Sequence, residues 1–143
     1  MNAVPVTILL IEDDPGHARL IEKNVRRAGV ANDILHLADG TTAVAHLFER
    51  GEQAKGDPLL VLLDLNLPDM SGTDILARLK ADAKLKRMPV IVLTTTDDKL
   101  EIQRCYDLGC NVYITKPVEY EGFAAAIRQL GLFLSVMQVP ETA

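Results

Sequence analysis

Five short apolar runs recur along the chain, each followed by an amphipathic stretch, and this alternation limits the possible folds more than any other feature. Val6 to Ile11 is apolar apart from Thr7 and reads as a buried strand. From Pro15 onward, Ala18, Ile21, Val25 and Ala28 recur at helical spacing until Gly29 stops the pattern. Ile34 to Leu37 is a shorter strand, and Ala43, Val44, Leu47 and Phe48 give a second helical stripe that ends at Gly51. Leu59 to Leu63 is continuously apolar, as expected of a strand covered on both faces. Ile75, Leu76 and Leu79 mark a third helix, and Val90 to Leu93 a fourth strand. Ile102, Cys105 and Tyr106 mark a fourth helix closed by Gly109, and Val112 to Ile114 a fifth strand. A last helix starts after Pro117 and runs past Leu130.

Strand and helix in strict alternation imply a parallel sheet with helices on both faces. Five strands suit the flavodoxin-like doubly wound order 2-1-3-4-5. The 143 residues are expected to form a single domain, 1–143, with 132–143 as a C-terminal extension. No internal repeat or low-complexity segment interrupts it, and Gly51 to Pro58 is a polar loop. The apolar fraction of 48% is enough for a core without metal or disulfide staples. With a net charge of −5, the densest basic stretches are Arg26-Arg27 and Lys84 to Arg87, which suit solvated helix ends. No nucleic-acid partner is expected. Cys105 and Cys110 fit no zinc spacing and read as buried free thiols in a reducing compartment. The N-terminus lacks a signal-peptide pattern, and no apolar run approaches the roughly 20 residues that span a bilayer. The expected location is cytoplasmic, with no membrane association.

In a doubly wound sheet, ligands bind beyond the carboxyl ends of the strands. Glu12, Asp13 and Asp14 follow strand one, and Asp64 closes strand three. Thr94, Thr95 and Thr96 end strand four, and Lys116-Pro117 follow strand five. The outlying strand two offers only Ala38-Asp39-Gly40. Each group has an ordinary explanation when taken alone. Asp14-Pro15 is a helix start with an Asp cap. Asp64 could begin a turn ahead of Pro68, the threonines could precede an Asp97 cap, and Lys116-Pro117 could be a surface loop. None of these explains why all four groups meet at one edge of one sheet.

Glu12, Asp13 and Asp64 would bring three negative charges together, and like charges at close range call for a cation. Hard oxygen ligands suit magnesium, which keeps several waters and shares substrate phosphate. Three carboxylates, one dication and the Lys116 ammonium sum to zero. A phosphoryl group arriving here would meet a metal, a lysine and a threonine hydroxyl, with Asp64 facing it as nucleophile.

With these residues in place, the chain resembles a receiver domain of a two-component response regulator. The matching segments are ILLIEDDP, LVLLDLNLPDMSG, PVIVLTTTDD and NVYITKPV, in that order, and the resemblance covers almost the whole chain. It implies a phosphoacceptor switch, not a stand-alone catalyst, that takes its phosphoryl group from a phosphohistidine on a partner kinase. It implies Asp64 as phosphoacceptor, Asp13 as direct metal ligand and Glu12 as a water-mediated one. Asn66 would give a backbone carbonyl to the metal, Thr94 the switch hydroxyl, Tyr113 the switch aromatic and Lys116 the phosphate-binding ammonium. No core position departs from the pattern.

The run EDDPGHARLIEKNVRRAGVANDI, then LADGTTAVAHLF, is similar to stand-alone regulators of bacterial phytochrome kinases, which implies a red-light histidine kinase as partner. Two other readings stand beside this one. A phosphatase of the haloacid dehalogenase kind also uses a strand-end Asp, magnesium and a lysine. It carries a second Asp two residues on, where this chain has Asn66, which cannot act as a carboxylic acid. A phosphate-independent scaffold would leave the intact chemical groups unused. In the last helix, Phe123, Ile127, Leu130 and Leu134 form a stripe suited to the sheet. Leu132, Phe133 and Val136 point largely the other way, with Val139 following. A homodimer through this helix and tail would cover them, unless the tail folds back on its own domain.

Overall fold

The computed structural model describes residues 3–4, 7–49, 59–116, 119, 121–122, 124–126 and 139–140, with backbone alone at 3–4, 59 and 139–140. In chain order the elements are β1 (Ala3–Val4), β2 (Thr7–Ile11), α1 (Pro15–Arg27), β3 (Ile34–Leu37), α2 (Gly40–Phe48) and β4 (Leu59–Leu63). They continue with α3 (Gly72–Ala81), β5 (Val90–Thr94), α4 (Lys99–Leu108), β6 (Val112–Thr115) and β7 (Val139–Pro140). Residues 121–122 and 124–126 are also helical, in the last helix foreseen after Pro117.

Five strands form one parallel sheet in the order β3-β2-β4-β5-β6, which is 2-1-3-4-5 when its strands are numbered along the chain. Alternate residues of each strand enter opposite layers, as the two-residue period requires. On one face Ile8, Leu10, Leu60, Leu62, Ile91 and Leu93 pack against Ala18, Ile21 and Val25 of α1. On the other, Leu9, Ile11, Val61, Leu63, Val90 and Val92 meet Ala43 and Leu47 of α2, Ile75, Leu76 and Leu79 of α3, and Cys105 of α4. Both faces are sealed, so β4 needs no polar alternation. Truncating a side chain such as Leu79, which is fully buried, would cost about 2–5 kcal/mol.

Helix ends follow local chemistry. Asp14, Asp39, Ser71 and Asp98 cap α1, α2, α3 and α4 by accepting from the amides of His17, Thr42, Thr73 and Leu100. Gly109 ends α4 at φ +111°, a left-handed conformation that favours glycine. Both cysteines are buried and unpaired, and burial pushes Cys105 up to about 11 and Cys110 up to about 12.

Several expectations are corrected. Strand β5 stops at Thr94, which pairs with Thr115, so Thr95 and Thr96 belong to the turn, and the cap of α4 is Asp98, not the Asp97 of the ordinary alternative. Ile102, Cys105 and Tyr106 do lie on α4, which Gly109 closes; of the three only Cys105 is buried, and Tyr106, 44% exposed, uses its hydroxyl to accept from the Tyr113 amide at 3.1 Å. Lys84 to Arg87 lie in the turn beyond α3, whose last-turn cations are Arg78 and Lys80. A two-stranded antiparallel sheet joins Ala3–Val4 to Val139–Pro140 of the same chain, elements too short to leave a periodic signal; the end of the tail thus folds back on its own domain, the alternative to a dimer through the tail. Val6, the 51–58 loop, and the stripes on Phe123, Ile127, Leu130, Leu132, Phe133, Leu134 and Val136 lie outside the described residues.

Candidate functional site

The carboxyl ends of β2, β4, β5 and β6 converge on one group of polar side chains. Asp64 leaves β4 still on the ladder, its amide donating to the Ile11 carbonyl at 3.0 Å, and its side chain is buried. One carboxylate oxygen accepts from the Asn66 amide at 3.0 Å, and the other from Lys116 Nζ at 3.2 Å. The turn after Asp64 is tight. A Cβ on Gly72 would sit 2.5 Å from the Asp64 carbonyl oxygen, so glycine is required where α3 begins.

Glu12 and Asp13 follow β2 and differ in exposure. Glu12 is 1% exposed, and its two oxygens are committed: one is ion-paired with Lys116, the other accepts from the Asp14 amide at 3.1 Å. Burial pushes Glu12 above the ordinary carboxylate range, and the Lys116 ammonium works against that rise. Asp13 is exposed at the mouth of the site. Carboxylate oxygens of Glu12, Asp13 and Asp64 all lie within 4.8 Å of one another. Three such charges exceed what one lysine neutralises, and an all-oxygen donor set fits a hard divalent cation.

Thr94 ends β5 with its side chain fully buried, and its hydroxyl accepts from the Asn66 side-chain amide at 3.0 Å. Its carbonyl accepts from the Lys116 amide at 2.7 Å, which fixes the lysine at the end of β6. Tyr113, half-buried on β6, donates its hydroxyl to the Thr96 carbonyl at 2.7 Å. Burial pushes this phenol up to about 12, so it stays a proton donor. The structure thus brings together Glu12, Asp13, Asp64, Asn66, Thr94 and Lys116, with Tyr113 one layer behind. Asp14 caps α1, as the sequence indicated.

Two histidines join the site without having been foreseen. His17 on α1 places Nδ1 3.1 Å from Lys116 Nζ, and His36 on β3 places Nε2 2.6 Å from the Glu12 carbonyl. Their partners are 99 and 24 residues away, and a lone histidine carries no periodic signal. Asp69 was missed too: it reaches from the β4–α3 loop to the Gly40 and Thr41 amides, at 2.8 and 2.7 Å.

Comparisons with known proteins find one family and several solved relatives of the same fold. The family model for the response regulator receiver domain matches residues 8–128. A crystal structure of a response regulator receiver domain from Rhodospirillum rubrum is 66% identical with a TM-score of 0.79, over 96% of this chain and 99% of that one. The phosphorylated cyanobacterial phytochrome response regulator RcpA is 37% identical with a TM-score of 0.76, over 96% and 99%. Response regulator Rcp1 from Synechocystis sp. is 39% identical over 78% of this chain and 77% of its own length. The manganese-bound form of Rcp1 has a TM-score of 0.75 at 32% identity, over 95% of this chain and 99% of that one.

Proposed function

The chain belongs to the response regulator receiver domain family, and from that premise we propose that it is a stand-alone regulator phosphorylated on Asp64 by a partner histidine kinase, with magnesium as cofactor. Members of the family are phosphoacceptor switches that bind a divalent metal, and response regulators take their signal from histidine kinases. The observation that carries the assignment is the Lys116 ammonium held between Glu12 and Asp64, beside exposed Asp13.

In this reading an Asp64 carboxylate oxygen attacks the phosphorus of a phosphohistidine. The new P–O bond forms as the P–N bond breaks, and the electron pair leaves with the kinase imidazole. Asp13 and Asp64, with the Asn66 carbonyl, would hold the metal, and Glu12 would act through water. Bound magnesium would neutralise charge on the phosphoryl oxygens. Lys116 and the Thr94 hydroxyl would each donate to one of those oxygens, and Tyr113 would follow Thr94 inward. The domain thereby assists its own phosphorylation and dephosphorylation. Asn66 cannot supply the acid that a phosphatase of the dehalogenase kind requires, and its side chain is already committed to Thr94.

The likeness to phytochrome response regulators supports a red-light histidine kinase, a bacteriophytochrome, as the donor. Among the described residues no helix is long and apolar enough to cross a membrane. A homodimer through the C-terminal helix would cover Leu132, Phe133 and Val136, beside a tail whose Val139–Pro140 pairs with Ala3–Val4 of its own chain. Sedimentation of the wild type against Phe133→Asp tests it, and a wild-type monomer at high micromolar concentration, phosphorylated or not, refutes it.

Acetyl phosphate with magnesium separates the readings. A switch accumulates about one phosphoryl group per chain and stops, and chelation of the metal abolishes labelling. Continual turnover would indicate a phosphatase, and no label at all a scaffold.

A further inference from the structure

Strand β3 holds the backbone of Glu12 on both sides. The Glu12 amide donates to the Leu37 carbonyl at 3.0 Å, where the β2–β3 ladder ends. The Glu12 carbonyl accepts from the His36 imidazole, with Nε2 at 2.6 Å. A carbonyl offers only lone pairs, so Nε2 carries the proton in this contact. The Glu12 carbonyl and the Asp13 amide belong to one planar peptide. Fixing the carbonyl therefore fixes that plane and the position of the Asp13 Cα at its far edge, and only side-chain torsions are left to aim the carboxylate. This placement matters because Asp13 is exposed while its carboxylate lies within 4.8 Å of those of Glu12 and Asp64. Like charges so close drive the freest of them outward into water. Lys116 ties down Glu12 and Asp64 through ion pairs, and Asp13 is tethered through the peptide before it.

We propose that His36 is a positioning residue for the divalent cation: by holding the Glu12 carbonyl it keeps the 12–13 peptide in the orientation that sets Asp13 beside Asp64 before the metal arrives. The contact uses a backbone carbonyl and none of the carboxylate oxygens, so a cation bound by those oxygens does not compete for it. Without the imidazole, the metal-free peptide samples other orientations, and only the fraction with Asp13 in place binds the cation. Apparent affinity falls by that fraction, whereas a saturating cation draws the whole population back. This inference rests on Asp13 and Asp64 being metal ligands, and it deepens that reading by naming what holds Asp13 in place.

The test compares wild type, His36→Leu and His36→Gln in the full chain. Leucine removes the donor, whereas the glutamine amide can bring an N–H close to where Nε2 stood. His36 is exposed, so neither change opens the core. Magnesium chloride is titrated while the amide resonances of Asp13 and Asn66 are followed, with no phosphoryl donor present. The expected dissociation constant is about fivefold higher in His36→Leu, the size of one lost hydrogen bond, and within about twofold of wild type in His36→Gln. Labelling of His36→Leu by acetyl phosphate should need about fivefold more magnesium for half its maximal rate, and that maximal rate should stay within about twofold of wild type. An unchanged dissociation constant in His36→Leu overturns the inference, as does a His36→Gln variant that binds as weakly as His36→Leu. A lower maximal rate with unchanged magnesium dependence also overturns it, because His36 would then act on transfer instead of on the metal. If the wild type itself binds no magnesium, the reading of these carboxylates as a metal site fails and this inference with it.

Discussion

The Asn66 side-chain amide donates to the Thr94 hydroxyl at 3.0 Å, joining the loop after Asp64 to the end of β5. Thr94 accepts in that contact and keeps its own O–H for another partner. Two residues beyond it, Thr96 holds the Tyr113 hydroxyl through its carbonyl at 2.7 Å. The Asp64 loop, Thr94 and Tyr113 are therefore linked through short steps.

Thr94→Ala should still be phosphorylated, at a rate reduced by less than about tenfold, since one hydrogen bond is lost. It should fail to pass the change on. Amide resonances of Tyr113 and Tyr106 should shift on beryllofluoride addition in the wild type and stay in place in Thr94→Ala. Equal shifts in both proteins would refute the route through Thr94.

Asp13→Asn removes one of three carboxylates whose oxygens lie within 4.8 Å of one another, and at that limit a like-charge pair in water costs about 1 kcal/mol. The variant should melt higher than wild type in chelator, by up to about that amount. Saturating magnesium should reverse the order, because the wild type gains binding energy that the variant loses. Thermal melts with and without magnesium give both numbers. A variant less stable than wild type in chelator would count against mutual repulsion.

Asp69 accepts from the Thr41 hydroxyl and from the Gly40 and Thr41 amides, and these bonds hold its carboxyl below the usual range. A lowered carboxylate contributes stability above its unfolded value and loses it as pH falls through the folded one. The contact between the β4–α3 loop and α2 should thus hold at neutral pH and open only in acid. Hydrogen exchange at Gly40 and Thr41 should be faster at pH 7 in Asp69→Ala, with the rest of α2 little changed. Unchanged protection at these two amides would show that Asp39 alone caps the helix.

The fold was legible because sealed strands leave unbroken apolar runs, as in Leu59–Leu63, and because Gly29 and Gly109 mark where α1 and α4 stop. The site was legible in its carboxylates, threonine and lysine, since each sits at a strand end and the strand order brings those ends together. What stayed hidden depends on long-range partners. His17, His36 and Asp69 carry no pattern of their own, and each acts on a residue at least 24 positions away. Tyr106 marked α4 by its spacing, but spacing did not show that it is exposed or that its hydroxyl accepts from the Tyr113 amide. Whether an aromatic faces inward is decided by its polar tip as much as by its place on the helix.

The central claim is that Asp64 carries the phosphoryl group. The most direct measurement labels the chain with acetyl phosphate and magnesium, traps the acyl phosphate by borohydride reduction and locates the modified residue by peptide mass spectrometry. The account predicts modification at Asp64 alone, none at Asp13 or Glu12, and none anywhere in Asp64→Asn. Stoichiometric labelling of Asp64→Asn, or trapping at another carboxylate in the wild type, would contradict it.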